Sequence, residues 1–161
     1  SGADKISINT PALENPTLIT DLAETFGSQC VVVGIDSFFN GTDYVVYAKT
    51  GSETSRYMTG MKTVDWLREA QDRGAGEVVL NCMNQDGVKK GYDIEQLNSV
   101  TDQCKVPLIA SGGAGSINSF IDVFSKSSVY GALAASVFHN DTVKIEDLKQ
   151  RLSENKIPVR I

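Results

Sequence analysis

Five apolar stretches of strand length punctuate the chain: Lys5–Ile8, Cys30–Ile35, Glu77–Leu80, Val106–Ala110 and Gly131–Ala135. They are continuous runs rather than alternations, the pattern of strands covered on both faces in a parallel sheet. Between them, apolar residues recur at helical spacing behind start signals. Asn15-Pro16 precedes Leu18, Ile19, Leu22, Ala23 and Phe26, and Thr63 precedes Val64, Leu67 and Ala70. Asp93, with Gln96 three residues on, is a variant capping box ahead of Leu97 and Val100, and Ser116 precedes Ile117, Phe120, Ile121 and Phe124. Lys144–Asn155 carries Ile145, Leu148 and Leu152 on one stripe. Strand and helix alternate, which predicts an α/β fold of βα units wound one way around a parallel sheet.

The stretch 37–62 breaks the alternation, being far longer than a βα loop of about 2–6 residues. Asn40-Gly41 followed by Tyr44–Ala48 predicts a small surface hairpin there, after the second strand. No linker or low-complexity tract divides the chain, so 1–161 reads as one domain. A doubly wound open sheet tolerates five strands, whereas a complete (β/α)8 TIM barrel needs eight and at least ~200 residues. This sequence is expected to be part of a barrel at most.

Composition narrows the function. With 161 residues, 41% hydrophobic and 22% charged, the chain is not of a disordered or collagenous class, and its net charge of −5 gives no overall attraction for nucleic acid or an anionic membrane. Any anion must be held by local geometry. No apolar run approaches the ~20 residues of a membrane span, and Ser1–Lys5 lacks a signal-peptide pattern, so a cytoplasmic protein is expected. Cys30, Cys82 and Cys104 show no metal-ligand spacing and His139 is the single histidine. Neither metal nor cofactor is expected, each cysteine reads as a small buried hydrophobe, and His139 as packing or hydrogen bonding in the loop after the last strand.

Polar residues gather at the forward ends of the strands: Asn9-Thr10, Asp36, Asn81 with Asp86-Gly87, Ser111-Gly112-Gly113-Ala114-Gly115, and Ser136. In parallel α/β sheets ligands bind at the carboxyl ends of the strands, so these groups are expected on one rim. The glycine-rich segment, between a strand and a helix, suits either a phosphate cradle or a tight turn; Ala134-Ala135-Ser136, on the next strand, leaves room for an anion beside it. Asn9-Thr10 reads as a second anion site or as a helix cap or turn near Pro11, and Asp36 as a partner for backbone N–H groups or a general acid/base. Lys5 and Glu77, at the opposite ends of their strands, read as a stabilising ion pair.

The segments Gly2–Asn9, Val31–Asp36, Arg73–Glu77, Asn84–Gly87, Gly91–Asp93, Leu108–Gly115 and Ala132–His139 together resemble the cyclase subunit of imidazole glycerol phosphate synthase, of histidine biosynthesis. The resemblance covers nearly the whole chain and corresponds to strands 4 to 8 of that family's (β/α)8 barrel. It implies a reaction of ammonia, channelled from a glutaminase subunit, with a doubly phosphorylated ribulosyl formimino aminoimidazole carboxamide ribonucleotide. Imidazole glycerol phosphate and the aminoimidazole carboxamide ribonucleotide are the products. By resemblance Asp36 is one of two acid/base aspartates, Gly87, Gly112, Gly113 and Ser136 cradle one phosphate, and Asn9 and Thr10 help hold the other, with Asp86 and Ser111 also among the phosphate- and substrate-binding residues. Lys5 and Glu77 match a charged ammonia gate at the barrel bottom, and Asp4 a residue of the glutaminase interface. The second aspartate belongs to the family's first strand, so residues 1–161 alone are expected to be inactive or nearly so and to self-associate or pair with the missing amino-terminal part. The alternatives are the related phosphoribosyl formimino isomerase of the same pathway and a non-catalytic phosphate-binding half-barrel.

Overall fold

The computed structural model describes residues 2–160. Five parallel strands carry the sheet: β1 (Ile6–Ile8), β2 (Val31–Phe39), β5 (Glu77–Cys82), β6 (Leu108–Ser111) and β7 (Gly131–Leu133). Two further strands, β3 (Tyr44–Ala48) and β4 (Tyr57–Lys62), run antiparallel to their neighbours and give the order β4-β3-β2-β5-β6-β7, with β1 also on β2. Along one edge of β2, residues 31–33 pair with β1 and residues 36–39 with β3. Its other edge pairs with β5 from Val32 to Ser37.

The helices are α1 (Thr10–Glu14), α2 (Thr17–Phe26), α3 (Thr63–Asp72), α4 (Ile94–Thr101), α5 (Ile117–Lys126), the four-residue α6 (Ser136–His139) and α7 (Ile145–Glu154). One face of the sheet packs against this layer. Val31, Val33, Ile35, Val78, Leu80, Cys82, Leu108 and Ala110 share a core with Ile19, Trp66, Leu67, Leu97, Val100, Phe120 and Val123. Side chains alternate along a strand, so the remaining residues form the other face. From bottom to top it carries Lys5, Ser7 and Asn9 from β1 and its flanks, Val32, Gly34 and Asp36 on β2, Glu77, Val79 and Asn81 on β5, Ile109 and Ser111 on β6, and Gly131 and Leu133 on β7. No described helix covers this face, and Leu133 is 47% exposed on it.

Several local expectations are corrected. The predicted hairpin is a three-stranded meander, because β2 runs on to Phe39 and β4 adds to β3. Asp36 therefore lies within a strand rather than at its end. The turn uses the anticipated residues: Asn40 Oδ1 accepts from Thr42 N and Asp43 N at 3.0 and 2.9 Å, with Gly41 at φ +101°. The last strand stops at Leu133, and Ser136 opens α6 instead of ending β7. The helix-cap reading of Asn9-Thr10 is met by α1, which opens at Thr10 with Asn9 at its N-cap, although the Asn9 side chain makes no capping bond; Pro11 is tolerated in the first turn. Thr63 begins α3 but turns its hydroxyl inward to Ser37, 2.6 Å away, rather than capping. Gln96 likewise points inward, onto Ser37 Oγ, so Asp93 caps α4 without the return half of the box. Of the cysteines only Cys82 is buried, and His139 is exposed.

Candidate functional site

The pairing register sets the site. Asp36 is level with Asn81, Asn81 with Ser111, and Ser111 with Leu133, so a single row crosses the uncovered face. At about 4.8 Å per strand, the row spans about 14 Å from β2 to β7.

Asp36 is 5% exposed and its carboxylate accepts three hydrogen bonds. Oδ2 takes one from Asn9 Nδ2 at 2.7 Å and one from Thr50 Oγ1 at 2.6 Å; Oδ1 takes one from Asn81 Nδ2 at 2.8 Å. Among the described residues no lysine or arginine forms an ion pair with it. The Asn9 side chain lies beside Gly34, two residues before, close enough that a Cβ there would be in ordinary contact with it.

At the far end of the row, a cavity of about 220 Å³ is lined by Asp86, Gly87, Lys89, Ser111, Gly112, Gly113, Ala114, Leu133, Ala134, Ala135 and Ser136. The four residues expected to cradle one phosphate, Gly87, Gly112, Gly113 and Ser136, line it together with Asp86 and Ser111. Gly112 and Gly113 have φ +90° and +107°, and their bareness is needed. A Cβ on Gly112 would stand 2.8 Å from the Cys82 carbonyl oxygen, and one on Gly113 would collide with the Gly91 carbonyl. Gly91 N in turn donates to Gly113 O at 2.9 Å, so two loops interlock through glycine backbone. The amides of Gly115 and Ser116 are directed to Ser119 Oγ, each at 3.3 Å. That leaves the glycine loop and Ser136, rather than the start of α5, to face an anion. Lys89 also lines the cavity, and its place two residues after Gly87 is the signal the sequence offers for it.

Asn9 and Thr10 do not reach this cavity. Asn9 turns one N–H to Asp36, and its Oδ1 is buried without a partner. Thr10 Oγ1 accepts from Lys49 N at 2.9 Å and keeps its own proton to donate. At the bottom of the face Lys5 and Glu77 pair, with Glu77 mostly covered and Lys5 half exposed. Asp4 is exposed beside them in sequence. Burial pushes the Cys82 thiol well above its ordinary range, and it also raises the Tyr92 phenol, which donates to Leu133 O at 3.0 Å. Among the described residues no cluster of His, Cys, Asp and Glu could hold a metal ion, and no helix is long and apolar enough to cross a membrane.

The family described as "Histidine biosynthesis protein" matches residues 1–144. This chain belongs to that family. It is 56% identical over 162 residues to the imidazole glycerol phosphate synthase subunit HisF of Pseudoalteromonas translucida. The HisF subunits of Vibrio parahaemolyticus and Aliivibrio salmonicida are each 59% identical to it. Each alignment covers 99% of the chain and 63% of the relative, so the chain spans less than two thirds of the proteins it matches. The resemblance drawn from the motifs and the family assignment agree.

Proposed function

We propose that these residues form strands 4 to 8 of a (β/α)8 barrel, as one domain, and supply half of a cyclase site. Within it, ammonia and a doubly phosphorylated ribulosyl formimino aminoimidazole carboxamide ribonucleotide give imidazole glycerol phosphate and the aminoimidazole carboxamide ribonucleotide. The observation that carries the reading is the shared row: a sequestered carboxylate and a glycine-lined anion cradle lie on one face, two to three strand spacings, about 10–14 Å, apart. A nucleotide with its phosphate in the cradle and its base near Asn81 would lie along that row toward Asp36.

In this reading Asp36 moves a proton at the reacting centre, and the cradle of Gly87, Gly112, Gly113 and Ser136 binds one phosphate, assisted by Lys89. Asn9 and Thr10 serve the other phosphate with the protons left to them. Lys5 and Glu77 stand where ammonia would enter from a glutaminase partner, with Asp4 on the docking surface, and the protein works in the cytoplasm. The partner aspartate expected from the family's first strand is needed too, so turnover belongs to the closed ring.

The test completes these residues with the first three strands of a relative's barrel and supplies substrate with an ammonium salt. Imidazole glycerol phosphate should form at a rate that Asp36→Asn lowers by about 10²-fold or more. Equal rates in both proteins refute the assignment. Ammonia-independent isomerisation of the formimino precursor would instead identify the related isomerase.

A further inference from the structure

The carboxylate of Asp36 is held unevenly. Each carboxylate oxygen can accept two hydrogen bonds. Oδ2 has both places filled, by Asn9 and Thr50, whereas Oδ1 has one filled, by Asn81, and one open. Asn81 lies on β5, the direction in which the cavity lies, and its own Oδ1 is 3.4 Å from Ser111 Oγ on the cavity wall.

The second bond to Oδ2 comes from outside the parallel sheet. Thr50 follows β3 and is placed by Lys49, which adopts φ +55°, an uncommon region for a residue with a side chain. Lys49 is tied twice to the first βα connection, through its N–H to Thr10 Oγ1 at 2.9 Å and through its ammonium to Glu14 at 3.0 Å. These ties turn the chain so that the next hydroxyl reaches back onto Asp36. Strained backbone held by several contacts at a candidate site is a reason to look for function there.

We infer that Thr50 is a positioning residue: with Asn9 it locks Oδ2 and leaves Oδ1, on the β5 side and with one place open, as the oxygen that exchanges the proton. The step breaks an N–H bond of the reacting ammonia adduct, leaves its electron pair on nitrogen and forms an O–H bond on Oδ1. This deepens the cyclase reading and rests on it. The meander after β2 thereby becomes part of the catalytic centre.

The experiment measures kcat and KM with ammonium salt for Thr50→Val, Thr50→Ser and Asp36→Asn in a full-length subunit carrying these residues, with folding followed by circular dichroism. Misplacing a catalytic group by a fraction of its hydrogen-bond length is costly, so Thr50→Val should lower kcat by about 10–100-fold with KM changed by less than about threefold. Thr50→Ser, which restores the donor, should return kcat to within about threefold of the parent. If Thr50→Val does not fold, Thr50→Ala carries the same expectation. A kcat loss smaller than that with the donor removed, a change in KM alone, or a serine variant as impaired as the valine one overturns the inference. Undiminished turnover by Asp36→Asn would instead remove the cyclase reading beneath it.

Discussion

Asp36 and Gly113 show how differently two site residues announce themselves. A carboxylate in a run of apolar residues stands out in the sequence, and the register then explains it, since Asn81 lies directly opposite. The roles of Asn81 and Thr50 were not legible in the same way, because each depends on which strand neighbours which. Gly113 was legible as a loop glycine, but its packing against Gly91 was not. Gly113→Ala is expected to weaken phosphate binding by about tenfold, because the loop must shift to admit the methyl group, and to destabilise the protein by about 1–3 kcal/mol. Titration calorimetry with inorganic phosphate and urea unfolding check the two halves; unchanged values in both would show that the close approach is not needed. Cys82 gives a test of the buried face. The thiolate is the nucleophile, and a raised pKa leaves almost none of it at about pH 8, so iodoacetamide should modify Cys82 only after unfolding. Rapid labelling of the native protein at that position, read by mass spectrometry, would contradict the burial.

Among the elements, those whose apolar spacing was unambiguous formed as expected: α2, α3, α4, α5 and α7 each follow one of the five predicted stripes. The misses have local physical causes. Pro107 lacks an N–H, and the strand after it begins only at Leu108. The end of β2 was hidden because Ser37–Phe39 becomes strand by pairing with β3 across the Asn40-Gly41 turn, and the apolar run that marks the strand ends at Ile35. A buried polar chain was also invisible: Gln96 donates to Ser37, which shares a hydrogen with Thr63, and all three are at most 1% exposed. Such groups look like ordinary surface residues in sequence. Ser37→Ala should cost about 1–3 kcal/mol, since it leaves the buried Gln96 amide and Thr63 hydroxyl without their partner. By contrast Asp93→Ala, removing the bond from Gln96 N at 3.0 Å, should cost only about 1 kcal/mol, as for a helix cap. Chemical denaturation of the two variants would show the order, and a reversed order would mean that the buried chain contributes little.

At the scale of the molecule, the helices pack on one face of the sheet, while the other buries Val32 and Asp36 on β2 and opens toward β6 and β7. Val79 and Ile109 are partly exposed there and Leu133 nearly half exposed, while the outer edges of β4 and β7 pair with no described strand. Unpaired edges beside an apolar face seek partners. Residues 1–161 by themselves should therefore scatter light as a dimer or larger species at micromolar concentration; a stable monomer would show that the open face tolerates water. The α/β class, the parallel direction of the strands and the common rim were all legible from continuous apolar runs ending in polar residues. The closed ring and the glutaminase partner proposed for these strands rest on the family motifs alone, because strand number and closure leave no trace in local spacing.

The account stands on one ligand occupying both ends of the row, and crystallography of the protein with the aminoimidazole carboxamide ribonucleotide tests it most directly. The phosphate should lie between the Gly112 and Gly113 amides and Ser136, with the imidazole ring near Asn81 and Asp36. A phosphate bound elsewhere, or a base pointing away from β2, would contradict it.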